Sequence, residues 1–249
     1  MQYRTSKSVA DAYTGAKRYD SIDDAVIRIA IGLNQRKRNR LDQAIESYTK
    51  ASEGRPNFVI SYVNRGIAWF RKGDLEKAID DFTEALAHEP DFAVALYNRA
   101  IAYRKQGDLE SAIGDFTSAV ENAPGFAKAY NNRGETHQTR GDNDLAIEDF
   151  SRAIELEPEF ADAYFNRAVC WSNKNELDRA VSDYSAVIRI KPWFARAYLN
   201  RGYCSLQKKD YDQATADYTK ALKIDPELSS QYSAMTILPV QVEPERKPR

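Results

Sequence analysis

Five asparagines recur every 34 residues in this 249-residue chain: Asn64, Asn98, Asn132, Asn166 and Asn200. A side-chain amide carries both a donor and an acceptor, so it can pair with the backbone of an extended peptide whatever the peptide's side chains are. Asparagine within a helix costs roughly half a kcal/mol relative to alanine, so its recurrence calls for a reason. Peptide contact is one reason. The others are copying of one ancestral asparagine with its repeat, or a hydrogen bond to a neighbouring helix.

No catalytic or metal-binding pattern accompanies these amides. The chain has two histidines, and His137 stands where other copies of the repeat carry Trp or Tyr, which favours a packing role. The two cysteines, Cys170 and Cys204, occupy equivalent places in successive copies, too far apart for a disulfide between typically spaced helices. Neither a GxxxxGK[ST] loop nor a Cys-x-x-Cys pair is present. We therefore expect no enzymatic activity, no cofactor and no metal ion.

Proline marks the elements that must position the asparagines. Six prolines stand 34 residues apart, at positions 56, 90, 124, 158, 192 and 226. The corresponding units are 25–58, 59–92, 93–126, 127–160, 161–194 and 195–228. A repeat of this length is typical of a solenoid, in which each unit packs on its neighbours.

Each unit, numbered from 1 to 34, predicts two antiparallel amphipathic helices. Positions 4, 8 and 11 share one helical face, and positions 20, 24 and 27 share another. Position 8 is Gly or Ala throughout and position 24 is always aromatic, which permits close helix approach. Gly73-Asp74 and its equivalents predict a turn in which glycine ends the first helix and aspartate caps the second. Lys209 replaces that glycine in the last unit and is less suited to the left-handed conformation.

These positions resemble the tetratricopeptide repeat over 25–228. The variant Asn64-Arg65-Gly66 with Ala78-Ile79-Asp80-Asp81-Phe82 is similar to bacterial members. The resemblance implies an all-α fold, a right-handed superhelical solenoid of six helix-turn-helix repeats. It also implies a non-enzymatic scaffold or adaptor, whose first helices line a concave groove that holds a peptide or helical segment of a partner protein.

The groove implied by the resemblance is apolar in repeats 1 to 3, with a basic edge formed by Arg36, Lys37, Arg71, Arg104 and Lys105. Such a surface suits a partner segment with hydrophobic and acidic residues, although basic residues there also complement the helix dipoles. The predicted peptide-binding residues are the five asparagines together with Val63, Tyr97, Ile67, Ile101, Arg71, Arg104 and Lys105.

A second recurrent pattern is structural. Repeats 2 to 6 carry arginine at position 7 and aspartate at position 23, whereas repeat 1 has Ile31 and Ser47. We expect these residues to form a recurrent ladder of ion pairs between helices, either within a repeat or between neighbouring repeats.

Composition restricts the partners and the location that we expect for this chain. A net charge of −1 gives no general attraction to nucleic acid or anionic lipid. No run of about 18 apolar residues is present, so we expect no membrane insertion. The first residues lack the apolar core of a signal peptide, which favours a cytoplasmic location, or a periplasmic one if a leader was removed. The alternative function is a structural or assembly subunit that acts through self-association or its convex face.

The ends depart from the repeat. Residues 1–24 are expected to form either one helix, with Val9, Tyr13 and Ala16 packed on the first repeat, or no ordered element. Residues 229–238 predict a short capping helix that Pro239 stops, and 239–249 predict a disordered tail.

Overall fold

The computed structural model describes residues 24–228, and every regular element in that range is a helix. The helices are α1 (24–37), α2 (Leu41–Gly54), α3 (Val59–Lys72), α4 (Leu75–His88), α5 (Ala93–Gln106), α6 (Leu109–Asn122), α7 (Ala127–Arg140), α8 (Asn143–Leu156), α9 (Ala161–Asn173), α10 (Leu177–Ile190), α11 (Ala195–Gln207) and α12 (Tyr211–Ile224). The expected all-α fold of paired helices is confirmed. The predicted N-terminal helix, capping helix and tail lie outside the described residues.

The chain divides into two compact units, Met1–Leu156 and Glu157–Arg249. In the first unit α3 packs on α4, α5 on α6 and α7 on α8, and the first helices α3, α5 and α7 contact one another in succession. A shared apolar cluster joins α1, α2 and α3. In the second unit α9 packs on α10 and α11 on α12, with α10 against α11. Each unit is therefore a stack of helix pairs.

Left-handed residues and aspartate caps make the turns within the pairs. Gly73 ends α3 at φ 93° with its N–H directed at the carbonyl oxygens of the last turn, and the Asp74 carboxylate accepts from the N–H of Lys77 at 3.2 Å. This geometry suits glycine because any Cβ at positive φ meets its own backbone. Lys209 adopts it too, at φ 65°, at a cost of roughly 1–2 kcal/mol.

Aromatic side chains at position 24 form the centre of each pair. Tyr48, Phe82, Phe116 and Phe150 are fully buried in the first unit. A Cβ added to Gly66 would lie 2.7 Å from Cε1 of Phe82, closer than two carbon atoms can pack. The small residue at position 8 is thus a condition for the aromatic at position 24.

The predicted ion pairs are present in all five repeats, with closest N–O distances of 2.6–2.8 Å. They are Arg65–Asp81, Arg99–Asp115, Arg133–Asp149, Arg167–Asp183 and Arg201–Asp217. Each arginine binds its aspartate through two nitrogens, and the hydrogen bond to Asp81 raises the pKa of Arg65. The prediction of an interhelix ladder is confirmed.

Four of these arginines also reach the preceding repeat. Their Nη1 atoms donate to a hydroxyl at position 25 of that repeat over 2.9–3.1 Å. The acceptors are Thr49, Thr83, Thr117 and Ser185. One guanidinium therefore joins three helices, two in its own repeat and one in the repeat before.

Repeat 1 departs from this arrangement. Ile31 replaces the arginine, and the Ser47 hydroxyl donates instead to Gln35 Oε1 at 2.8 Å. Ile27 and Ile31 are 55% and 45% exposed, and they line an open cavity of about 420 Å³ beside α1. This face of α1 carries apolar residues where later repeats carry the connecting arginine.

Candidate functional site

Exposed apolar side chains follow the first helices of the first unit. Val26, Ile60 and Val94, all at position 2, are 50%, 37% and 42% exposed. At position 9 of the same helices, Leu33, Ile67 and Ile101 are half-buried. We call these six residues the apolar stripe. The stripe lies on α1, α3 and α5, where the sequence predicted an apolar floor.

Val63 does not belong to this surface. Its side chain is 4% exposed and packs in the core with Tyr62, Phe82 and Leu96. Position 5 faces the neighbouring helices because it lies about 100° around α3 from position 6. The predicted contact between Val63 and a bound peptide is therefore wrong.

The asparagines of the first unit each bond to their own helix. Asn64 Nδ2 donates to the Ile60 carbonyl oxygen at 2.8 Å, and Asn98 Nδ2 donates to that of Val94 at 2.6 Å. Both side chains are half-exposed. Within residues 24–228, the Oδ1 atoms of Asn64 and Asn98 accept no hydrogen bond. These two amides keep an acceptor available to a ligand.

Asn132 lies instead in a closed network. Its Nδ2 donates to the Lys128 carbonyl oxygen at 2.8 Å and to the Tyr97 hydroxyl at 3.1 Å. Its Oδ1 accepts from Arg104 Nη2 at 2.8 Å. Arg104 Nη1 also donates to Glu135 Oε2 at 2.7 Å, and burial raises the pKa of Tyr97. Three predicted binding residues, Asn132, Tyr97 and Arg104, are thus engaged with one another.

The asparagines of the second unit differ again. Asn200 Nδ2 donates to the hydroxyl of Tyr184 at 3.3 Å, a hydrogen bond to the neighbouring helix α10. Asn166 on α9 is half-buried and also has an interaction partner. The first helices of this unit are more polar, and Asp162 there pairs with Lys191 at 2.7 Å. Position 2 of both helices is charged, Asp162 on α9 and Arg196 on α11, so the exposed apolar residues of the stripe have no equivalents there.

Within the part of the chain that the structure describes, the basic edge of the first unit contains residues without acidic partners. Arg71 and Lys105 are exposed, and the Lys105 ammonium lies 4.9 Å from the centroid of the Phe70 ring. Arg36 Nη1 is buried and has no hydrogen-bond partner among residues 24–228, and the same holds for the Tyr48 hydroxyl. Burial raises the pKa of Tyr48, while the charges of Arg36 and Arg71 oppose that rise. The two arginines therefore act on the same hydroxyl.

Arg36 was not among the predicted binding residues. The sequence placed it in the basic edge, together with Arg104 at the same position two repeats later. The signal that distinguishes the two is the residue at position 9 of the following repeat, which is Ile67 after Arg36 and Glu135 after Arg104.

The two cysteines and His137 lie in the interior. Cys170 and Cys204 are free and buried, as expected. Among residues 24–228, no group of three or more His, Cys, Asp or Glu side chains could hold a metal ion. His137 is buried and its pKa is lowered by that burial. Over the same residues, no helix is both long and apolar enough to cross a membrane.

Solved structures with similar folds include MamA, YrrB and PilF. MamA is 28% identical over 66% of this chain and 96% of its own, with a TM-score of 0.63. YrrB, described as a tetratricopeptide protein with an unusual peptide-binding site, is 25% identical over 78% of this chain and 100% of its own, at a TM-score of 0.67. PilF of Pseudomonas aeruginosa covers 87% of this chain and 100% of its own at 18% identity and a TM-score of 0.76, a likeness of fold alone.

Comparison with curated protein sequences gives no match. The tetratricopeptide repeat family matches residues 59–92, 93–126, 127–160 and 195–228. These segments coincide with four of the 34-residue units and together make up more than half of the chain, so the protein belongs to the tetratricopeptide repeat family.

Proposed function

We propose that the protein is a non-enzymatic interaction scaffold that binds a peptide or helical segment of a partner along α1, α3 and α5. The observation that carries this proposal is the juxtaposition of Val26, Ile60 and Val94 with the available amide acceptors of Asn64 and Asn98. Apolar contacts provide affinity, and the amides pair with the backbone of the bound segment. The similarity to YrrB, a protein described by its peptide-binding site, supports this use of the fold.

The apolar stripe is large enough to matter energetically. Each exposed valine or isoleucine at position 2 retains roughly half of its surface, so covering it contributes about 1 kcal/mol. Three such residues on the first helices of successive repeats, with three half-buried neighbours, form an apolar row rather than scattered exposed side chains. A surface of this kind is typical of a binding site for another protein.

The charge beside the stripe indicates the partner's composition. Within residues 24–228, neither Arg36 nor Arg71 has a carboxylate within ion-pair distance. Uncompensated cations beside an apolar row favour a segment that contains both hydrophobic and acidic residues. We do not propose a nucleic-acid partner, because the chain as a whole has a net charge of −1.

A different surface favours the alternative function. Ile27 and Ile31 are exposed on another face of α1, beside the open cavity. A second copy of the chain that covered this face would make the protein an assembly subunit. Its signature is a molar mass that rises with concentration in light scattering and stays constant after Ile27→Ser.

Selection of peptides from a random 12-residue display library on the full chain tests the scaffold function. Affinities of enriched peptides are then measured by fluorescence anisotropy for Val94→Ser and Leu145→Ser. These residues are 42% and 43% exposed, but Leu145 lies on the second helix α8. We expect Val94→Ser to weaken binding about fivefold, which is about 1 kcal/mol, and Leu145→Ser to leave it unchanged. Failure to enrich any peptide, or equal affinity for both variants, would contradict the proposal.

A further inference from the structure

Two arginines occupy position 12 of their repeats in the first unit, and their surroundings differ. Arg104 on α5 reaches the following repeat, where Glu135 Oε2 accepts from Nη1 at 2.7 Å and Asn132 Oδ1 accepts from Nη2 at 2.8 Å. The backbone oxygen of Asn132 lies 3.3 Å from Nη1. The charge and the donors of Arg104 are therefore matched from within the protein.

Arg36 on α1 has no such match. Its equivalents of Asn132 and Glu135, 28 and 31 residues further along the chain, are Asn64 and Ile67. The amide is retained, but an isoleucine replaces the carboxylate. Within residues 24–228 no carboxylate lies within ion-pair distance of Arg36, and its Nη1 atom is buried without an acceptor.

Repeat 1 contains buried polar atoms that lack a hydrogen-bond partner among residues 24–228. Among residues 24–228, two buried side-chain polar atoms lack a hydrogen-bond partner, Arg36 Nη1 and the hydroxyl oxygen of the fully buried Tyr48. The charge of Arg36 acts on that hydroxyl. Buried polar groups in native proteins are nearly always bonded, so two orphans in one repeat indicate a missing acceptor. The available Oδ1 of Asn64, on α3 of the following repeat, is the equivalent of the Asn132 oxygen that accepts from Arg104.

We propose that Arg36 forms a carboxylate subsite with Asn64 as its positioning residue. An aspartate or glutamate side chain of the bound segment accepts from Arg36 Nη1, as Glu135 does from Arg104, while Asn64 Oδ1 accepts from Arg36 Nη2, as Asn132 does from Arg104. This inference rests on the proposed binding along α1, α3 and α5. A guanidinium suits this role because it stays charged and its several N–H groups can bind a carboxylate and an amide oxygen at the same time. Leu33, Ile60 and Ile67 of the apolar stripe supply apolar contacts on the same two helices, so the segment carries hydrophobic residues beside its acid.

Ile67→Glu tests the subsite from within the protein. The new carboxylate recreates the surroundings of Arg104 and should engage Arg36, which excludes the acid of an incoming segment. Arg36→Gln removes the guanidinium directly. Arg38→Gln is the matched control, because it deletes one positive charge two residues further along, at an exposed place outside the apolar stripe.

The probe is a random 12-residue library displayed through its C-terminus, so that only side chains present carboxylates. On the wild-type chain we expect Asp or Glu at one fixed position, enriched at least fivefold, with apolar residues around it. Selection on Arg36→Gln or Ile67→Glu should lose the acid and keep the apolar residues, whereas Arg38→Gln should keep both. Circular dichroism verifies the fold, and if Arg36→Gln does not fold, Ile67→Glu alone decides.

Each contrary outcome has a distinct meaning. An acid that stays enriched on Ile67→Glu or Arg36→Gln overturns the subsite and leaves binding along the apolar stripe intact. An acid preference that Arg38→Gln weakens equally is general electrostatic attraction, which also overturns the subsite. If no peptide is enriched on any form of the chain, both the subsite and the proposed scaffold function are wrong.

Discussion

Replacement of Arg99 by methionine would leave the carboxylate of Asp115 without its partner in the middle of the first unit. The two side chains are 19% and 12% exposed, so the burial of this pair is intermediate between that of a surface ion pair and that of a fully buried one. Opposite charges about 4 Å apart attract by about 4 kcal/mol at an effective dielectric constant near 20. Loss of one partner from a buried pair costs about 3–5 kcal/mol. We expect a loss of about 3 kcal/mol for Arg99→Met, which includes the hydrogen bond from Arg99 Nη1 to Thr83.

The assay combines urea unfolding, followed by circular dichroism, with hydrogen exchange of peptides from α5 and α6. Repeat proteins open locally, so hydrogen exchange shows whether the loss is confined to the altered repeat and its neighbours. Lys50→Ala is the control, because the Lys50–Glu46 pair is exposed and worth less than about 1 kcal/mol. A double variant, Arg99→Met with Asp115→Leu, leaves no buried charge and should lose less than half as much as Arg99→Met.

Two results would refute this reasoning. If Arg99→Met costs no more than Lys50→Ala, the ladder does not stabilise the repeats. If the double variant is less stable than Arg99→Met, the isolated carboxylate is not the source of the loss. In that case the side chains contribute through packing rather than charge.

Three further predictions concern packing and pH. Gly66→Val forces a side chain against Phe82 and should lower the free energy of unfolding in urea by about 1–3 kcal/mol. Gly114→Ala, whose added methyl group lies in open space on α6, should raise that free energy by about 0.5–1 kcal/mol. Burial lowers the pKa of His137 below 6.5. Its contribution to stability is therefore present above that pH and is lost as pH falls through the folded-state pKa. His137→Phe should flatten the dependence of the urea midpoint on pH below 6.5. Burial raises the pKa of Tyr218 from 10.0 to about 12, so its contribution is lost between those values as pH rises, and Tyr218→Phe should retain more stability there.

The repeated features of the fold could be predicted from the sequence because they depend on contacts within one repeat. The pairing of position 7 with position 23 joins residues 16 apart, and helix periodicity places both on the interface between the two helices. The turn at Gly73 and the packing of Phe82 on Gly66 are equally local. The arginine–aspartate pattern recurs five times, the aromatic residue with its small partner six times and the Gly-Asp turn three times, which made these features visible in one chain.

The site was less predictable because it depends on differences between repeats. Burial of Val63 is determined by the helices that surround α3, which the 34-residue pattern does not specify. The network around Asn132 requires Tyr97 and Arg104, which lie 35 and 28 residues earlier. Arg36 was missed because the residue that distinguishes it from Arg104 lies 31 positions further along the chain, where Ile67 replaces the carboxylate of Glu135.

The arginine that joins three helices has a consequence for how such a chain changes in length. Arginine and aspartate belong to one repeat, and the hydroxyl that the arginine reaches belongs to the repeat before. A copied repeat therefore carries an arginine for its predecessor and a hydroxyl for its successor. Insertion or loss of a whole 34-residue segment therefore leaves an arginine opposite a hydroxyl at the new junction without any further substitution. This connection between repeats is copied together with the repeat itself.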